Sequence, residues 1–189
     1  DLFFYARPRE MLRGRIDPPG CWLDASAVLV RQFLAFCFDF AVKEGVLTHI
    51  PKTGKQLVED LKKDDGDIPG LMVWVTEKET ELHKTFLDRF NLGAAVKKDT
   101  RARFASEATG DKLLNRIHAA AVDFDRARRE LNNVSDRLRK RLKDLDKAQE
   151  EARKEIEQEL KILTTRKRKL SSTSALEILT DHGLLPNYA

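Results

Sequence analysis

Between Asp111 and His182 the chain has neither glycine nor proline. Those two residues punctuate most turns, glycine by entering left-handed backbone and proline by withholding an amide. Their absence over the whole stretch excludes a C-terminal half rich in loops or hairpin strands. Cysteine is scarce too. Cys21 lies in a Pro/Gly-rich stretch and Cys37 in an apolar run, and there are no others. Two thiols in such different settings do not make a disulfide framework, and they suit a reducing, cytoplasmic compartment. No apolar run approaches the roughly 20 residues of a membrane span, so no membrane partner is expected. The start, Asp1-Leu2-Phe3-Phe4, has neither an initiator Met nor a signal-peptide layout. The end stops inside an apolar patch at Leu184-Leu185-Pro186. Both ends read as cut, which makes the chain a piece of a longer protein.

What is present divides the chain in two. Charged residues are 35% of the sequence, well above a typical globular share, and hydrophobic ones are 41%, enough for a core. The excess charge sits in the C-terminal half, while all glycines but Gly183 and all prolines but Pro186 lie at or before position 110. The fold class is therefore all-α, a small helical bundle followed by one very long charged helix. Residues 1–23 read as an extended linker and short helix, with Pro8 in the first turn, Gly14 past the end, and Pro18-Pro19-Gly20 extended. Residues 24–110 read as the bundle, 111–170 as the long helix or coiled coil, and 171–189 as a short helix and linker.

Within the bundle, Asp24 is a good N-cap for a helix to Lys43 closed by Gly45. Its middle, Val28 to Phe40, is apolar on nearly every side, which marks the central buried helix. A modest amphipathic helix follows around Leu57, Val58 and Leu61, then a turn at Asp64-Asp65-Gly66-Asp67. Leu71 to Val75 suits strand or helix. Thr76 and Glu79 fit a capping box for a helix carrying Leu82, Phe86 and Phe90 and ended by Gly93. Asp99 is placed to cap a short helix through Phe104.

In the long segment the apolar stripe runs Ile117, Ala120, Phe124, Ala127, Leu131, Val134, Leu138, steps of three and four that define a heptad seam. Leu138 to Leu142 is a stutter. The seam continues through Leu145, Ala148, Ala152, Ile156, Leu160 and Leu163. One helix from Asp111 to Leu170 would be roughly 90 Å long. Asn132-Asn133 is the one turn signal, and the stripe crosses it without a slip, which favours continuity. A helical hairpin, that is an antiparallel coiled coil, is the alternative. Ser174 caps a last short helix that ends at Gly183.

Motifs for chemistry fail on spacing. Lys52-Thr53-Gly54-Lys55 lacks the earlier glycine and the following Ser/Thr of a phosphate loop; His49 and Gln56 stand there instead. Asp64, Asp65 and Asp67 lack the earlier acids of a calcium loop, where Leu61 and Lys63 stand. The histidines at 49, 83, 118 and 182 have no paired spacing for zinc. No nucleophile elbow is present. The expectation is a non-enzymatic chain with no cofactor or metal of its own. Two basic clusters are the candidate nucleic-acid site. One is Arg137, Arg139, Lys140, Arg141 and Lys143; the other is Arg166, Lys167, Arg168 and Lys169. Cations grouped on a helix release condensed counterions from phosphates, although interleaved acids also allow a plain solvated face. No aromatic platform supports single-strand stacking.

Both ends carry a resemblance. Asp1-Leu2-Phe3-Phe4-Tyr5, Arg7-Pro8-Arg9-Glu10-Met11, Gly14, Pro18-Pro19, Leu23 and Asp24 resemble the stretch that follows the second motor domain in a family of bacterial superfamily 2 DEAD/DEAH-box helicases. These helicases carry a C-terminal cysteine-rich zinc module. Ser174-Ala175-Leu176-Glu177-Ile178-Leu179 and Gly183-Leu184-Leu185-Pro186-Asn187-Tyr188-Ala189 resemble the lead into that module. The resemblance implies an ATP-dependent helicase as parent, acting in DNA repair or phage defence, with ATP, Mg and Zn bound outside this chain. It carries no catalytic or ligand residue onto these positions. It implies an accessory domain that connects motor to module and touches DNA, with the parent's other domains as partners. The competing expectation is a protein-interaction arm without nucleic-acid binding, a homodimer formed through the seam 131–163.

Overall fold

The structure is a computed structural model that describes residues 26–187 apart from Asn91, Lys147 and Ala148. The short helix after Pro8, the Pro18-Pro19-Gly20 linker, Cys21 and the cap at Asp24 lie outside the described residues. Among the described residues the chain is all-α, with helices α1 (Ser26–Lys43), α2 (Gly54–Asp60), α3 (Asp67–Glu77), α4 (Glu79–Leu87), α5 (Ala94–Glu107), α6 (Gly110–Asp144), α7 (Glu150–Ser172) and α8 (Ala175–Asp181). No described helix is long and apolar enough to cross a membrane.

Helix α1 is the centre of the bundle, as its apolar composition requires. Leu29, Phe33, Leu34, Cys37 and Ala41 are fully buried in it. Around Phe33 gathers an aromatic cluster of Phe36, Phe86, Phe104 and the His83 ring, with centroids 4.7–6.2 Å away. Gly45, at φ 72°, ends α1 with its amide on Val42 while the Val46 amide reaches back to Ala41, a turn that demands left-handed backbone. Helices α4 and α5 cover one side of α1, and α3 packs on the first turns of α6.

Two local expectations change and one open alternative is decided. Thr76 is inside α3, its hydroxyl donating to the Met72 carbonyl, and Lys78 rather than Thr76 precedes α4. The apolar run Leu71–Val75 carries α3 past the position that the Thr76 capping box would mark. Asp99 is interior to α5, which begins after Gly93. Leu71 to Val75 itself takes the helical option.

The larger change is in the long segment. The chain leaves helix at Leu145, whose backbone is extended (ψ 131°), and resumes helix at Glu150. Arg153 of α7 donates from Nη1 to the carbonyls of Leu142 (3.2 Å) and Leu145 (3.0 Å). Leu163 shares a groove with Leu131 and Val134, and Leu170 with Phe124 and Ala127. The two helices therefore run antiparallel. The hairpin, not the single rod, is the form adopted, and Asn132-Asn133 is ordinary helix within α6. The reason is that an apolar seam needs a cover, and α7 supplies it to α6 within one chain. Ile156, Leu163 and Ser135 are buried there and Leu138, Leu142 and Leu160 half-buried.

The hairpin's return end is clasped to the bundle. Helices α2 and α8 both start with capping boxes, Thr53 with Gln56 and Ser174 with Glu177. The two caps pair as an antiparallel bridge. Across it the Gly54 amide donates to Thr173 O (3.1 Å) and the Ala175 amide to Lys52 O (3.2 Å). A Cβ on Gly54 would fall on Ile178 and Phe124, so only glycine lets α2 approach α6 and α8 this closely. Among the described residues, α6 and α7 pack on each other beyond this clasp as an arm.

Candidate nucleic-acid interface

The arm decides where the basic residues go. Arg137, Arg139, Lys140, Arg141 and Lys143 occupy the last turns of α6, all exposed, at the hairpin tip. Arg139 is paired with Asp136 (3.3 Å). The other four form no ion pair within 4 Å among the described residues. Arg137, Lys140 and Arg141 line one shallow hollow of about 300 Å³ with Asp144 and Leu145.

The second cluster sits elsewhere. Arg166, Arg168 and Lys169 are exposed and Lys167 is half-buried beside the seam. Four consecutive helical residues fan around the axis, so they cannot share a face. Arg166 and Lys169 rim the groove between α6, α7 and α8, and Arg168 turns outward. In the antiparallel register this cluster lies level with Ala127 to Glu130, about 20 Å along the arm from the tip cluster. The structure therefore places the two clusters on one rigid arm but does not merge them into one patch.

Neighbouring arginines are spent differently. Asp125 is almost covered, its side chain 8% exposed, by Arg128 and Arg129. It accepts from Arg128 Nε (3.1 Å) and Nη2 (2.7 Å). The Arg128 hydrogen bonds, with Arg129 adding, hold its carboxyl below the usual range against an opposing burial effect. The cover consists largely of the guanidinium groups, so the carboxylate stays charged and cancels them. Arg126 is likewise paired with Asp123 (3.2 Å). Unpaired positive charge on the arm is thus concentrated at the tip and at residues 166–169.

The other chemistry-bearing groups are structural. The Gly54 amide that a phosphate loop would need donates to Thr173 instead. Asp60 accepts from the amides of Asp67 (2.9 Å) and Ile68 (2.8 Å), capping α3, and Asp64 and Asp65 form the exposed turn before it. No three His, Cys, Asp or Glu side chains among the described residues are grouped to hold a metal. Burial pushes the Cys37 thiol far up, leaving it an inert core group. Burial lowers the His83 pKa, and its Nε2 has no hydrogen-bond partner among the Phe33 and Phe104 rings, so the ring packs as a neutral aromatic.

Sequence reasoning missed Arg153, whose role depends on a turn that no Gly or Pro marks. It also missed the groove, which exists only once the chain folds back. The signal for Arg153 was present in kind, since a cation near the end of α6 satisfies its last carbonyls, but the end itself was not visible. No protein-family model, characterised protein or solved structure matches this chain.

Proposed function

We propose that this chain is a non-catalytic accessory domain of an ATP-dependent DNA helicase, which connects motor to C-terminal module and holds nucleic-acid phosphates with its hairpin arm. The observation that carries the reading is the sorting of charge on that arm. Arg126, Arg128, Arg129 and Arg139 are tied to carboxylates. The cations at 137, 140, 141, 143 and 166–169 form no ion pair within 4 Å among the described residues. An unpaired, solvated cation keeps its charge for phosphate and releases a counterion when it binds. The sequence resemblance at both ends supplies the helicase context; its N-terminal part lies outside the described residues. A stiff arm clasped at its base also suits transmission of motor closure to a distant domain.

Between Phe124 and Tyr188 there is no aromatic residue, so the arm offers no stacking surface for unpaired bases. The reading therefore commits to the phosphates of duplex DNA. The test is fluorescence anisotropy of the 189-residue chain with duplex and single-stranded oligonucleotides over a salt series. Duplex is expected to bind more tightly. The triple variant Lys140→Glu, Lys143→Glu, Arg168→Glu is expected to weaken binding at every sequence. It should also reduce the log K against log salt slope by about 0.9 for each phosphate that is no longer neutralised. No binding at low salt, or a slope unchanged by the three reversals, would remove the nucleic-acid role.

A further inference from the structure

The groove-side face of the arm has a charge pattern that the nucleic-acid reading does not use. On α6, Glu130, Val134 and Arg137 follow one another at helical spacing and form a ridge; on α7, Glu155, Glu159, Ile162, Arg166 and Lys169 do the same. Glu130, Val134, Arg166 and Lys169 line one groove, which fixes both ridges to the same side of the arm. Two apolar side chains lie open on it, Val134 at 43% and Ile162 at 54% exposure. The register set by Arg153 against Leu142 and by Leu163 against Leu131 and Val134 puts Ile162 level with Val134. Each ridge thus reads acid, apolar, base, with the apolar residue at the centre. The charges of both ridges are exposed. None has an ion pair within the chain among the described residues.

We infer that this face is a self-association surface whose occupant is a second copy of the chain, stacked antiparallel across a two-fold axis at the level of Val134 and Ile162. The charges on this face are complementary to their own inverted copy. Antiparallel stacking of α7 on its counterpart brings Glu159 to Arg166 and Glu155 to Lys169. Stacking of α6 on its counterpart brings Glu130 to Arg137. Two-fold symmetry makes every one of these pairings twice, as an isologous interface must. The four open apolar side chains meet at the axis. A pattern that inverts about its own centre matches itself, whereas an unrelated partner would have to copy it. This surface flanks the part of the seam 131–163 that the hairpin closes within the chain, with Val134 at its open edge. Association through this face would cover Arg137, Arg166 and Lys169, three of the cations assigned to phosphate, while Lys140, Lys143 and Arg168 are not among the residues that line the groove.

The test is sedimentation equilibrium of the 189-residue chain without nucleic acid, from micromolar to millimolar concentration. The chain is expected to dimerise reversibly, more weakly at high salt. Arg166→Glu with Lys169→Glu makes the α7 ridge wholly acidic. Glu155→Lys with Glu159→Arg makes it wholly basic. Each double variant alone should dissociate about tenfold or more readily than the parent chain, and an equimolar mixture of the two should form a heterodimer at least as tight as the original. Heterodimer recovery also shows that both variants are folded. A strict monomer at millimolar concentration overturns the inference. So does a dimer indifferent to both reversals, or a mixture that stays monomeric.

Discussion

Replacing Ile156 and Leu163 together with aspartate is expected to unzip the arm and leave the bundle folded. These are the most buried side chains of α7, 5% and 8% exposed, and they face α6 across the seam. Each substitution forfeits about 1.5–3 kcal/mol of apolar burial and forces a carboxylate against an apolar surface that gives it no partner. Once apart, each helix of the arm is isolated and charged, marginal in water. The expected result is a loss of far-UV helical signal and fast amide exchange over residues 131–165, with the thermal midpoint of the bundle little changed. Unchanged exchange in the arm would mean that these two residues are not its fastening.

Phe33→Ala is expected to act on the other half of the molecule, lowering the unfolding free energy by about 3–5 kcal/mol. Phe33 is fully buried, with Phe104 and His83 packed against it and each other at 4.7–4.9 Å and Phe86 at 5.5 Å. The neighbours sit on α4 and α5 and are held by their own helices, so the space left by the ring cannot close fully. At this chain size the loss corresponds to a fall in thermal midpoint of roughly 10 °C. Val28, on the same helix but 40% exposed, provides the control, since Val28→Ala removes no packed group and should stay within about 1 kcal/mol. Equal effects of the two substitutions in denaturant titration would contradict the placement of α1 at the centre.

Much of this architecture was legible in the residues. The apolar run of α1, the closing glycines at 45 and 183, the cap at Ser174 and the three-and-four steps from Ile117 to Leu163 each name a helix, an end or a buried face. Two kinds of feature were not legible. Local cap signals are cheap, so Thr76 and Asp99 read as starts although tertiary packing carries α3 and α5 straight through them. The hairpin turn has the opposite problem. Leu145 to Gln149 contains no breaker, and a heptad stripe looks the same whether its cover comes from another chain or from its own continuation. What breaks the helix is the gain from covering the seam locally, helped by Arg153 taking the orphaned carbonyls of α6. The candidate site followed suit. Its basic residues were visible one by one, but their division between tip and base, and the acid-apolar-base ridges beside them, are properties of the folded-back arm.

The direct measurement of that fold is a pair of spin labels at Asn132→Cys and Thr165→Cys in a Cys21→Ser background, diluted with unlabelled chain so that only distances within one molecule are read. Both positions are exposed, and Cys37 is buried and unreactive. An antiparallel hairpin places the labels roughly 10–20 Å apart, one interhelical spacing plus side-chain length. A single population near 50 Å, roughly the length of a continuous helix between the two positions, would contradict it.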